Sequence, residues 1–231
     1  MAAFVFDVDG TLTPSRSRMD PAFARYFLDF QRQHETYIVT GSDYAKTQEQ
    51  LGYEIPNAAK LVFSCCGNEV RKGDEILHKS DWSPDIDLLS ELGDLLEQSK
   101  YPVKTGQHIE LRTGLVNFSI VGRGATVDQR ADYVAYDRLS GERDSLAVRL
   151  SAAFPDLEIV VAGDTGLDIY PFGADKSQIL KWFTTRPIVF FGDRTLPGGN
   201  DYPLACVADL THAVEGWEDT WDKLRLISPG V

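Results

Sequence analysis

The first apolar run of the chain ends in two aspartates separated by one valine, within the stretch FVFDVDGTLTPSR at positions 4–16. An ionised carboxylate at the end of a buried strand is costly unless it is hydrogen-bonded, paired or bound to a metal. Asp7 and Asp9 therefore need a chemical reason. In a strand, residues i and i+2 project to the same side, so both carboxylates can converge where the strand opens into the Gly10-Thr11 turn. Two further apolar runs also end in polar residues, one at Thr40-Gly41-Ser42-Asp43 and the other at Gly192-Asp193, and Lys176 stands at a predicted helix start. Together these residue types can transfer a phosphoryl group. One carboxylate attacks phosphorus, a second moves a proton, a third helps to hold a cation, and a lysine and a hydroxyl neutralise the phosphoryl oxygens. Magnesium suits a site of few carboxylates completed by water and phosphate. Taken singly, each aspartate also fits a helix or turn cap; the reading rests on the combination.

Such a site needs elements that bring distant residues to one edge. AAFVFD reads as a buried strand, and PAFARYFLDFQRQ as an amphipathic helix opening at Asp20-Pro21, the pair expected at an N-cap and first turn. TYIVTGSD predicts a second strand, YAKTQEQLG a helix closed by Gly52, and AKLVFSCCGNE a third strand. Strands alternating with helices predict a parallel sheet wound in right-handed βαβ units, and ligands of such sheets bind beyond the carboxyl ends of the strands. From about Ser80 the texture changes. An acidic helix is predicted over 86–99, a hairpin in HIELRTGLVNFSIVG turning at Thr113-Gly114, one helix over 128–154, and a strand pair in LEIVVAGDTGLDIYPFG. From Asp175 the first pattern resumes with a helix KSQILKWF, a strand PIVFFGD, a strand near PLACVAD and a last helix from about Trp217. The expectation is an α/β core formed by residues 1–79 and 174–231, interrupted by an antiparallel α+β domain at 80–173.

Composition narrows the function. The 231 residues are 43% hydrophobic and 25% charged, ordinary globular values, and a net charge of −12 argues against a nucleic-acid binder. Any phosphate site must be a local cluster of basic residues. No stretch approaches the ~18 apolar residues of a membrane span, and no charged segment precedes the short N-terminal apolar run, so a cytoplasmic protein with no membrane partner is expected. Cys65, Cys66 and Cys206 lack ligand spacing and read as buried free thiols. The four histidines are scattered, and the tryptophans and Phe190-Phe191 read as core residues.

FDVDGTLT resembles the nucleophile motif of the haloacid dehalogenase (HAD) superfamily, and the later matches fall in that family's order: a hydroxyl motif at Thr40 or Ser42, the lysine at Lys176 and the acidic motif FFGD at Asp193. DVDGTLTPSR, GSDYAKTQEQLG, LRTGLVNFSIVGR and FFGDRTLPGGND are similar, more narrowly, to the eukaryotic-type phosphomannomutases. That resemblance implies a Rossmann-like core of the HAD fold with a class IIB cap inserted after the third core strand. It implies Asp7 as the nucleophile that becomes aspartyl-phosphate and Asp9 as the acid/base. Magnesium would be held by Asp7, the backbone carbonyl of Asp9 and Asp193, supported by Asn200 or Asp201. Hexose 1,6-bisphosphate would be the activator.

Arg112, Arg123 and Arg130 are concentrated in the inserted segment of an otherwise acidic chain. A guanidinium recognises phosphate through two hydrogen bonds, so the three can gather on one anion, or else form surface ion pairs worth little each. In the resembling family the matching arginines bind the phosphate remote from the reacting one, with help from the residue at Arg16, and Asn117 and Asp168 match positions that read sugar hydroxyls. Three departures stand out. Thr40 replaces a usual glycine, SIVGR replaces S-P-I-G-R, and Gly166 stands where a serine touches the ligand phosphate. The resemblance implies a mutase acting on a small sugar phosphate, a homodimer paired through the cap and a role in supplying mannose phosphate for nucleotide-sugar synthesis. A magnesium-dependent sugar-phosphate phosphatase is the alternative. A silent sugar-phosphate sensor is the remote one, since Asp7, Asp9, Lys176 and Asp193 are all present.

Overall fold

A computed structural model describes residues 2–184 and 186–228. The chain divides into two compact units, one made of Met1–Ser80 with Ala174–Val231 and the other of Asp81–Gly173.

The first unit begins with β1 (Ala3–Phe6), four buried apolar residues. Helix α1 (Pro21–Gln33) follows, with the Asp20 carboxylate accepting the backbone N–H groups of Ala22 and Phe23 and with Pro21 in the first turn. Phe23, Phe27 and Phe30 form its buried stripe, at the i, i+4, i+7 spacing of one helix face. Next come β2 (Glu35–Val39), α2 (Tyr44–Leu51), α3 (Glu54–Ala58) and β3 (Leu61–Ser64). Asp43 caps α2 through the Lys46 N–H, and Gly52 ends it at φ 76°. A short 3-10 turn, Cys65–Gly67, leads to a hairpin of β4 (Glu69–Lys72) and β5 (Glu75–Lys79).

The second unit starts with α4 (Ile86–Gln98), capped by Asp85 and buried through Leu88, Leu92 and Leu95. Strands β6 (Ile109–Arg112) and β7 (Leu115–Phe118) form the expected hairpin. Helices α5 (Val127–Ser140) and α6 (Glu142–Ala153) precede β8 (Leu157–Ala162) and β9 (Gly166–Pro171). The sheet order is β6-β7-β9-β8, and every pairing is antiparallel. One face of this sheet packs Val116, Phe118, Leu167 and Ile169 on the α4 leucines. Strand alternation therefore puts Glu110, Arg112, Asn117, Gly166 and Asp168 on the other face.

The chain then returns to the first unit through a 3-10 helix, Lys176–Trp182, followed by β10 (Ile188–Gly192), α7 (Tyr202–Val207), β11 (Leu210–Ala213) and α8 (Trp217–Ile227). Its seven strands lie in the order β11-β10-β1-β2-β3-β4-β5. The first five run parallel, whereas β4 and β5 add antiparallel. Phenylalanines dominate this core: Phe6 stacks on Phe191 at 5.0 Å and meets Phe27 edge-on at 5.0 Å.

Several expectations are corrected. The helix over 128–154 is two helices, because Gly141 takes the left-handed conformation (φ 63°) between them. The segment KSQILKWF forms a 3-10 helix, too short for periodicity to tell its type. The strand expected near PLACVAD comes just after it, as β11, while PLACVAD itself lies mainly in α7; Pro203 sits in the helix's first turn, where its missing N–H is harmless. That places Cys206 on an exposed helical surface, so only Cys65 and Cys66 are buried thiols. The sheet is mixed, since the charged run EVRKGDEILHK conceals β4 and β5, whose outer strand is largely exposed.

Candidate active site

β1 lies between β10 and β2 in parallel register, so their carboxyl ends share one edge. Asp7 follows β1 directly and donates its backbone N–H to Phe191 O at 3.0 Å. Its carboxylate is buried, as are Lys176 and Asp201. Lys176 Nζ donates to Asp7 Oδ1 at 2.5 Å and to Asp201 Oδ1 at 2.6 Å. Asp201 Oδ2 accepts the Arg194 N–H at 3.1 Å, which ties down the loop after β10.

Carboxylate oxygens of Asp7, Asp193 and Asp201 all lie within 4.8 Å of one another. Crowding on this scale shows in their protonation. Burial, only partly offset by Lys176, raises the Asp7 carboxyl well above its ordinary value. Burial and then Asp201 raise Asp193 to about 6. Burial opposes the Lys176 charge, but Asp201 and Asp7 overcome it and raise its pKa. One ammonium thus serves three neighbouring carboxyl groups. The donor set fits a hard divalent cation, and on the same loop Asn200 Oδ1 is a buried acceptor with no donor among the described residues. Two glycines keep the edge open. A Cβ on Gly10, which has φ 80°, would press into Asp193 Oδ2, and one on Gly192 would lie 2.7 Å from Asp201 Oδ2.

Asp9 is held separately. Its Oδ1 accepts the Arg16 backbone N–H at 2.6 Å and Gln50 Nε2 at 2.9 Å. Gln50 is buried on α2 and also donates to the Thr13 hydroxyl at 3.3 Å. Sequence reasoning missed Gln50, although a glutamine on the helix face shared with Thr47 and Leu51 is a polar residue at a core position. Arg16 is exposed and has φ 56°, an uncommon conformation for a non-glycine residue. Thr40 is buried and its hydroxyl oxygen accepts the Ser42 N–H at 3.0 Å; Ser42 is half-buried. Both hydroxyls therefore remain at the β2 end of the edge.

In the second unit the register sets Glu110 beside Asn117 and Asn117 beside Asp168. Asn117 Nδ2 donates to Asp168 Oδ1 at 2.6 Å, and Arg123 Nη2 donates to Asn117 Oδ1 at 2.5 Å. Arg112 and Arg123 meet on a single oxygen, Glu110 Oε2, at 2.6 and 2.5 Å. Arg123 lies in the loop beyond β7. Burial and the neighbouring Arg112 lower its pKa. Arg130, in the first turn of α5, pairs instead with Asp164 at 3.6 Å. Two arginines of the expected trio therefore share one anion and the third is held by another. Gly166 packs so tightly that a Cβ would lie 2.9 Å from Asn117 Nδ2. Glu110 was also missed, because an acidic residue two before an arginine on a strand reads as an ordinary surface pair.

A family profile described as eukaryotic phosphomannomutase matches residues 23–228. A phosphomannomutase of Dendrobium officinale is 31% identical over 232 residues, covering 96% of this chain and 92% of the relative. One from Galdieria sulphuraria is 32% identical over 230 residues, covering 94% and 90%. Among solved structures, a haloacid dehalogenase-like hydrolase from Bacteroides thetaiotaomicron superposes with a TM-score of 0.59 at 15% identity, covering 98% of this chain and 99% of that one. A sugar phosphatase of HAD subclass IIB gives 0.61 at 15% identity with the same coverage. At such identities the structural likeness speaks for the fold alone.

Proposed function

The chain belongs to the eukaryotic phosphomannomutase family, and from that premise we propose that it interconverts mannose 6-phosphate and mannose 1-phosphate through an aspartyl-phosphate and a hexose 1,6-bisphosphate. The observation that carries the reading is the buried Asp7–Lys176–Asp201 cluster at the carboxyl end of β1, with Asp9 two residues on. An Asp7 oxygen forms a bond to phosphorus as the phosphorus–oxygen bond to the sugar breaks, and the departing sugar oxygen takes a proton from Asp9. In the reverse half, Asp9 takes the proton from the sugar hydroxyl that attacks the aspartyl-phosphate. Lys176 aims Asp7 and favours its anionic form against the burial that opposes it. Thr40 or Ser42 donates to a phosphoryl oxygen.

Magnesium, bound by Asp7, the Asp9 carbonyl and Asp193 with Asn200 or Asp201 in support, would offset the negative charge of the transferring group. In the inserted unit, Arg112, Arg123 and Arg130 take the phosphate that is not reacting. Asn117 and Asp168 read sugar hydroxyls beside Gly166. A bisphosphate has two chemically similar ends, so it can present either one to Asp7. We assign the active form to a homodimer paired through the inserted unit, in the cytoplasm. Among the described residues, no helix is long and apolar enough to cross a membrane.

The test is incubation with magnesium, mannose 1-phosphate and a trace of bisphosphate, following mannose 6-phosphate and free phosphate together. Isomer formation is expected. Release of phosphate without isomer would replace the mutase by a phosphatase, and silence in both channels would leave a sensor. Asp7→Asn should abolish both turnover and the acid-stable phosphoenzyme; normal turnover in that variant would overturn the nucleophile assignment.

A further inference from the structure

We infer that Glu110 is a resident anion of the second phosphate site: its carboxylate holds Arg112 and Arg123 together while no phosphate is bound and yields them when one arrives. The inference rests on the proposed role of those arginines. Its basis is a single atom. Glu110 Oε2 receives Nη2 of both guanidinium groups, at 2.6 and 2.5 Å. Two such cations repel, and Arg112 disfavours the charge on Arg123. Burial works against the Glu110 charge, yet the two arginines hold its carboxyl below the usual value. The carboxylate is therefore ionised and keeps side by side two groups that would otherwise separate.

The fit is incomplete in an informative way. Arg123 Nε is buried and has no hydrogen-bond partner among the described residues, although its Nη2 is shared between Glu110 and Asn117. A single carboxylate oxygen satisfies one tip of the guanidinium and leaves the adjacent N–H unanswered. A phosphate can present two oxygens to the fork and satisfy both positions. Removing a buried donor from an unpaired state is favourable, so phosphate has an advantage that Glu110 does not match. Exchange of one anion for another follows, with the arginines already gathered. The same exchange works in reverse. A carboxylate waiting beside the site competes with the bound phosphate and repels it, which makes the site quick to release. A mutase needs that property, because its bisphosphate must let go of the arginines before it can present its other end.

Charge decides the direction of the expected effect. Glu110→Gln keeps an acceptor oxygen and most of the packing but removes the like charge, and like charges placed together oppose binding strongly. In an Asp7→Asn background, which prevents turnover, mannose 1-phosphate is titrated calorimetrically into the full chain with magnesium. E110Q should bind about tenfold more tightly. R123A should bind at least tenfold more weakly, and the double variant E110Q/R123A should show no gain over R123A. With Asp7 intact, E110Q should lower KM and also lower kcat, the mark of slowed release; a purely structural role would not give that split. Glu110→Ser, with a melting curve for each protein, repeats the test if E110Q folds poorly, and a smaller gain is expected. If R123A binds as tightly as its parent, the proposed arginine site fails. If R123A weakens binding while E110Q leaves it unchanged or weaker, the arginine site stands and the resident-anion role of Glu110 is overturned.

Discussion

Lys176 is completely buried and pairs with two carboxylates from different parts of the chain. Removing one partner of a buried ion pair typically costs about 3–5 kcal/mol, because a charge is left uncompensated. Lys176→Met should therefore lower the unfolding free energy by about 3 kcal/mol as well as remove activity. Urea unfolding checks this, and a loss below about 1 kcal/mol would mean that the ammonium behaves like a surface charge. Asp7 and Asp193 were legible in the sequence because each closes an apolar run, where a charged residue is out of place, whereas Lys176 and Asp201 were picked out through the order of the motifs. Gln50 and Glu110 were not. Their importance comes from partners that only the folded chain brings near: Asp9 for Gln50, 41 residues away, and Arg123 for Glu110.

Elements with strong local chemistry were legible from that chemistry. Helix α1 was marked by Asp20-Pro21 and a phenylalanine stripe, and the β6–β7 hairpin by Thr113-Gly114. Elements defined by their neighbours were not, as with β4 and β5, whose charged side chains hide a pairing to β3. Gly141 is the instructive intermediate. Its neighbours all favour continuing a helix, and the break depends on a left-handed backbone, with open space where a Cβ would sit. Gly141→Ala should cost about 1 kcal/mol through backbone strain alone, lowering the melting temperature by about 2 °C. An unchanged or higher melting temperature would show that α5 and α6 can join without penalty.

For the molecule as a whole, the carboxyl cluster links stability to pH and metal. Asp193 has an ordinary pKa of 3.8 that the fold raises to about 6. The folded chain therefore binds the extra proton between those values, and metal-free protein loses this contribution as pH rises through the window. A cation that binds only the folded state stabilises it by mass action. Magnesium should raise the melting temperature clearly at pH 7.5 and much less at pH 5, while chelation at pH 7.5 should abolish activity. Equal shifts at both pH values in a fluorescence melt would remove Asp193 from the metal site.

The interrupted first unit also has a consequence during synthesis. Lys176 leaves the ribosome 169 residues after Asp7, a wait on the order of ten seconds or more at ordinary elongation rates. Throughout that interval β1 lacks its neighbour β10, and an unpaired strand edge invites wrong partners. The whole of Asp81–Gly173 emerges first. Asp7 thus meets its buried counter-ion only after the inserted unit has been made, and the nascent chain must keep an apolar strand with an unneutralised carboxylate soluble until then.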